Sequence, residues 1–191
     1  RSRTGDSEEP RFDGERVILP RCTHDAHEAY VESGMLSAAQ DYDEGGMQLP
    51  YTVDAAANAF FAVASISISS SLLSVGNANL LMVHGTELQK DVFAKNEFSG
   101  RWTGTMCLSE PQAGSSLADI TTLATPQEDG SYKITGAKMW ISAGEHEHGE
   151  NIVHLVLARI VGAPPGVRGI SLFIVPRYRV NDDGSVGAAN D

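Results

Sequence analysis

The period of the apolar positions changes partway along this chain. Between Cys22 and Leu36, the apolar residues Ala26, Ala29, Tyr30 and Met35 recur at close to helical spacing, and Gly34 weakens the end of the run. Ahead of it, residues 1–20 carry many charges and little that is apolar beyond Val17, Ile18 and Leu19. That composition predicts a linker or a displaced segment. Asp41 to Gly46 and Pro50 predict a loop, after which Asp54 is placed to cap a long helix starting at Ala55. From Ala55 to Val83 there is no Asp, Glu, Lys or Arg. About 20 apolar residues suffice to cross a bilayer. Here Ser65, Ser67, Ser69, Ser70, Ser71, Ser74, Asn77 and Asn79 dilute the run, and Gly76-Asn77 interrupts it. The expectation is therefore a buried helix pair in a bundle, with no membrane span. Thr86-Glu87-Leu88-Gln89 has the pattern of a capping box and predicts a helix running to about Lys95.

From Gly100 onward the pattern becomes short runs of β-type residues: Trp102–Leu108, Tyr132–Thr135, Lys138–Ser142, Ile152–Ile160 and Ile170–Val175. Pro111, Gly114, Gly136, Gly144 and Pro164-Pro165-Gly166 separate them, and Asp129-Gly130 is a hairpin signal. The expected class is α+β, with a helical bundle portion over residues 21–100 and a mostly antiparallel sheet domain over residues 101–191.

The chain has 191 residues, 41% hydrophobic and 20% charged, enough for one large or two small folded units. Its formal charge of −11 argues against nucleic-acid binding, which requires a basic face. Cys22 and Cys107 are too few for a disulfide framework, so a cytoplasmic location is expected. The first residue is not Met, and both ends fall in polar stretches, so the sequence reads as part of a longer protein.

Two segments carry candidate chemistry. In Ser109-Glu110-Pro111-Gln112-Ala113-Gly114-Ser115, Pro111 and Gly114 fold the backbone over, so that successive amides and two hydroxyls face a ligand. In Lys138–Ser142, read as a strand, Trp140 and Ser142 point the same way, presenting an indole and a hydroxyl to a flat ring. Taken singly, the first is also an ordinary strand-ending loop, and Trp140 a core aromatic. His24 and His27 with Cys22, and His146 with His148, invite a metal reading. The two groups fall in different expected domains and show no four-ligand spacing, so surface histidines and no metal are expected. Lys138, Arg159, Arg168 and Arg177 are available to phosphates, and no strand–glycine–helix dinucleotide fingerprint appears.

Taken in order, Gly85–Lys90, Gly100–Thr105, Met106–Ser115 and Gly136–Ser142 resemble the acyl-CoA dehydrogenase family, over about residues 35–180. Ser-Glu-Pro-x-Ala-Gly-Ser is a specific signature, and Ser142–His146 with Asn151–Arg159 look like the larger bacterial branch. The resemblance implies a barrel-like β-domain and FAD as cofactor. It implies that the backbone around Met106, Leu108 and Ser109 binds the pyrimidine edge, that Trp140 lies against the ring with Ser142 near its reactive N5, and that Gly114 and Ile141 are also cofactor-binding. Ser115 would contact FAD and the acyl-CoA. Ser116 departs from the family's usual Asp. The implied reaction removes the acyl α-proton and moves a β-hydride to the flavin, with an electron-transfer flavoprotein as oxidant and a homo-oligomer as assembly. The family's glutamate base lies in a C-terminal helical domain absent here, so no catalytic residue is assigned. Glu110 and Glu145 are expected to be structural, since nothing pairs with either in a tuned environment, and the isolated chain is expected to bind FAD weakly. An acyl-CoA oxidase, or a nucleic-acid-associated relative on the same scaffold, are the rival expectations.

Overall fold

A computed structural model describes residues 7–190; Arg1–Asp6 of the polar opening segment, Asp191 and the side chain of Ser69 lie outside the described residues. Helix α1, Arg21–Glu32, starts directly after Pro20 and turns Ala26 and Tyr30 inward, one helical turn apart. Tyr30 donates to Asn58 Oδ1 (2.6 Å) and meets Phe61 edge-on, which ties α1 to helix α2, Tyr51–Ala64. Asp54 does not cap α2. The helix begins earlier, after Pro50, and Asp54 instead accepts from Asn58 within the first turns. Nor is this helix buried, since Phe60 and Val63 are 80% and 85% exposed.

The uncharged run breaks at Ser65, where the backbone extends (φ −158°) before a 3-10 turn at Ile66–Ser70. Helix α3, Ser71–His84, then continues straight through Gly76-Asn77. Asn77 survives in mid-helix because it is spent on tertiary contacts: its amide donates to Thr105 O (3.0 Å), Val153 O (3.2 Å) and Glu97 Oε1 (3.4 Å). Ile66–His84 is long and apolar enough to cross a membrane, with mean hydropathy 1.4, yet its inward face is Ser71, Ser74, Asn77, Ala78 and Leu81 packed in the protein. Helix α4 runs through Glu87–Gln89, a π turn at Lys90–Ala94 and Lys95–Phe98. It opens with the expected capping box, Gln89 N–H donating to Thr86 Oγ1 and Thr86 N–H to Gln89 Oε1.

The strands are β1 (Arg11–Phe12), β2 (Val17–Ile18), β3 (Trp102–Cys107), β4 (Leu123–Pro126), β5 (Tyr132–Thr135), β6 (Asn151–Ile160), β7 (Ile170–Pro176), β8 (Tyr178–Val180) and β9 (Val186–Ala189). β1–β2 and β8–β9 are antiparallel hairpins, and β3 to β7 form one five-stranded sheet. The helical part followed by a sheet is the expected class, and the sheet itself is mixed rather than antiparallel throughout. β6 pairs in parallel with β3 (Trp102 opposite Asn151) and with β4, while β4–β5 and β6–β7 are antiparallel. The long stretch between β3 and β6 supplies the crossover that a parallel pair requires. The nearly unbroken apolar run of β6 suits a central strand covered on both faces.

Behind the sheet, Leu155 packs with Ala78, Leu81, Ala94 and Phe98, and a second cluster joins Ala26, Tyr30, Leu36 and Ile68. Glu97 lies fully buried between these helices and β3, and a Cβ on Gly104 would fall 2.1 Å from its Oε1. Burial raises its carboxyl well above the usual range, with the hydrogen bond from Asn77 opposing. In front, the opening hairpin rests on the loop before β6: Leu19 N–H donates to Glu147 and Glu147 N–H to Val17 O.

Candidate functional site

Strand β3 carries Met106 and then runs out into Leu108 and Ser109, all three half-buried. The chain reverses at Pro111-Gln112, closed by Glu110 N–H to Ala113 O (2.7 Å) and Ala113 N–H to Glu110 O (3.1 Å). Glu110 itself points inward, 2% exposed, and organises the whole turn. Its carboxylate accepts from the amides of Thr121 (2.7 Å) and Thr122 (3.0 Å), from Gln112 (2.7 Å) and from Lys138 Nζ (2.8 Å). Burial alone pushes its carboxyl up; Lys138 and the two amides outweigh that and hold it well below the usual carboxylate range.

Lys138 joins the two segments that the sequence singled out. Besides pairing with Glu110, it donates to Leu108 O (3.0 Å), and the next amide, Met139 N–H, donates to Ser109 O (2.9 Å). The segment Lys138–Ser142 therefore lies alongside Leu108–Glu110. It is not a strand. Trp140 (φ 57°) and Ala143 (φ 53°) sit in the left-handed region, which breaks the two-residue alternation, so the same-face argument for Trp140 and Ser142 fails. Trp140 is no core aromatic either, as its indole is 77% exposed. Ser142 is also exposed, while Ile141 turns toward a cavity of about 250 Å3 shared with Cys107, Lys138, His154 and Val175. Gly114 and Ser115 follow on the turn and are exposed. The structure thus gathers Met106, Leu108, Ser109, Trp140, Ile141 and Ser142 around the end of β3, with Gly114 and Ser115 on the adjoining turn.

The candidate cations are mostly committed elsewhere. Arg159 ties down Pro164 O, Gly166 O and Ala118 O, and Arg177 pairs with Glu145 (2.6 Å). Glu110 and Glu145 are thus both ion-paired, contrary to the expectation that neither has a partner.

The histidines also differ from expectation. His24 and His27 on α1 meet His146 and His148 from the loop before β6. His148 Nδ1 lies 3.0 Å from His24 Nδ1, whose other nitrogen lies 2.7 Å from Glu147, and His27 Nδ1 lies 3.1 Å from Ser71 Oγ. Burial pushes His27, His146 and His148 down to about 4, so all three are neutral near pH 7. Among the described residues, no three His, Cys, Asp or Glu side chains are arranged as metal ligands. No local spacing announces this cluster, because its halves are far apart in sequence.

Comparison with known proteins assigns residues 105–188 to the acyl-CoA dehydrogenase middle domain. The chain is 43% identical over 190 residues to 3-methylmercaptopropionyl-CoA dehydrogenase of Ruegeria pomeroyi, covering 99% of this chain and 32% of that protein. The chain thus spans about a third of the length of the curated relatives it matches. Among solved structures, an acyl-CoA dehydrogenase from Bacillus anthracis complexed with FAD aligns at a TM-score of 0.67 and 28% identity, over 83% of this chain and 26% of that one. The apo form of Bd2924 aligns at a TM-score of 0.73 over 97% of this chain and 39% of that one, and at 22% identity it speaks for the fold alone. Through its middle domain, this chain belongs to the acyl-CoA dehydrogenase family.

Proposed function

We propose that this chain forms the flavin-holding part of an FAD-dependent acyl-CoA dehydrogenase. The observation that carries this reading is the docking of Lys138-Met139 on Leu108 and Ser109, which sets an uncovered indole beside a main-chain rim. That pairing fits a flat ring with hydrogen-bonding edges. Main-chain groups of Met106, Leu108 and Ser109 would hold the pyrimidine edge, and Gly114 leaves the turn open. Trp140, Ile141 and Ser142 would lie against the ring, and Ser115 on the exposed turn would meet FAD and the pantetheine arm of an acyl-CoA. When bound, FAD supplies acceptance of a hydride from the acyl β-carbon. The chain's own part is binding, orienting and shielding.

Neither carboxylate near the rim is suited to abstract the α-proton. Glu110 is buried, ion-paired and held in its charged, weakly basic form, and Glu145 is paired with Arg177. We assign the base to a carboxylate outside these residues, the oxidant to an electron-transfer flavoprotein, and the assembly to a homo-oligomer in the cytoplasm. Free Cys22 and Cys107 suit a reducing compartment. The test is acyl-CoA-dependent reduction of a redox dye. A polypeptide of the relatives' full length that contains this chain is expected to turn over, and the 191-residue chain alone is not. Turnover by the short chain would place a base within it and overturn the assignment.

A further inference from the structure

The peptide joining Leu108 to Ser109 lies at the centre of the candidate rim, and a single side chain holds it. Leu108 O accepts from Lys138 Nζ (3.0 Å) and, among the described residues, from no other donor. Ser109 N–H, at the other end of the same peptide, donates to no described residue, although Ser109 is half-buried. The next peptide is different. Ser109 O accepts from Met139 N–H (2.9 Å) and Glu110 N–H donates to Ala113 O (2.7 Å), so both of its ends are fixed within the chain.

A trans peptide is planar, and its C=O and following N–H point in opposite directions. Drawing Leu108 O toward Lys138 therefore aims Ser109 N–H away from Lys138. A half-buried donor without a partner carries a free-energy cost, which an acceptor on a ligand removes. Without Lys138 the Leu108–Ser109 peptide would have no bond at either end and nothing to fix its orientation.

The surroundings of Lys138 suit this role. Its side chain is 10% exposed, against 1% for Glu110, and Nζ pairs with Glu110 Oε1 (2.8 Å). That pairing balances the charge of the ammonium close at hand, so little of it reaches a phosphate in solution. The bond to Leu108 O keeps the strength of a charged donor. Glu110 is anchored in turn by the amides of Thr121 and Thr122, which fixes where Nζ sits.

Resting on the flavin reading above, we propose that Lys138 is a positioning residue, turning the Leu108–Ser109 peptide so that Ser109 N–H donates to an acceptor on the pyrimidine edge of the ring. It acts through that peptide and not by attraction to the phosphates of FAD.

The test is NMR titration of the 191-residue chain with FAD and with ADP, which carries phosphates but no flavin ring. In the unaltered chain, FAD is expected to shift the Ser109 amide proton more than that of Glu110, which is already bonded to Ala113. Removing Lys138 alone would strand the buried Glu110 carboxylate, so the variant combines Lys138→Met with Glu110→Gln. With its near-UV circular dichroism unchanged, this variant is expected to bind FAD at least tenfold more weakly, while the ADP perturbations stay as they were. Should it lose that signal, the Ser109 shift in the unaltered chain decides alone. Undiminished FAD affinity in the folded variant, a parallel loss for ADP, or a Ser109 amide moved no more than that of Glu110 would each overturn the inference. FAD shifts at Trp140 without one at Ser109 would sink this inference alone, and no FAD shift at either would sink the flavin reading with it.

Discussion

At Trp140 a large aromatic residue holds a backbone conformation that glycine adopts freely, and its indole faces outward. A left-handed non-glycine residue costs on the order of 1–2 kcal/mol, and an exposed indole recovers little of that by packing. The strain persists because Lys138 and Met139 are pinned on one side, to Leu108, Ser109 and Glu110. Trp140→Gly is therefore expected to leave stability within about 1 kcal/mol in urea denaturation, since relieved strain offsets the added freedom of the unfolded chain. The same change should weaken FAD binding at least tenfold. A large stability loss with FAD affinity intact would make Trp140 a structural residue. The identity of these residues was legible in the sequence, but their geometry was not. Nothing in Lys138–Ser142 announces a left-handed turn, because Trp has no intrinsic preference for one. The conformation is imposed by Glu110, which gathers Lys138 and Thr121 from two other segments.

Between elements, the least legible contact is the histidine cluster that joins α1 to the loop before β6. Periodicity reports which face of a helix is apolar and says nothing about partners so distant in sequence. Parallel pairing of β6 with β3 and β4 was hidden for the same reason, since alternation identifies faces and not neighbours. Local signals fared better. The capping box at Thr86 and the strands β3, β5, β6 and β7 lie where composition puts them, because the information is contained within a few residues.

The cluster has a measurable consequence. His27, His146 and His148 titrate near 4 in the folded chain because burial disfavours their charged form, against 6.5 for an ordinary histidine. Between those values the unfolded chain binds more protons, so stability is full above pH 6.5 and falls as the pH drops toward 4. Neighbouring Glu147 opposes the shift at His146 and His148, while the adjoining histidines, and Arg177 at His146, reinforce it. After allowance for solvent screening of the partly exposed rings, the loss by pH 5 is on the order of 2 kcal/mol. Urea midpoints at pH 7 and pH 5 would measure it, and His146→Asn should shrink the difference. A midpoint independent of pH over this interval would mean that the imidazoles are hydrated.

Over the whole molecule, the α+β class was readable because the apolar period changes near Gly100, and the family because Met106–Ser115 and Gly136–Ser142 occur together. The layout of α2 was not readable. Phe60 and Val63 were expected inside a helix pair and instead face outward. An apolar composition predicts burial without saying which surface provides it. The acidic balance of −11 likewise describes the chain as a whole and masks the buried Lys138–Glu110 pair behind the candidate site.

The most direct measurement for the flavin site is amide chemical-shift mapping of this chain with FAD raised to millimolar concentration, where even weak binding registers. The expected result is a set of perturbations centred on Met106, Leu108, Ser109 and Trp140–Ser142. Perturbations centred elsewhere, or none at any concentration reached, would contradict the placement of the ring at the end of β3.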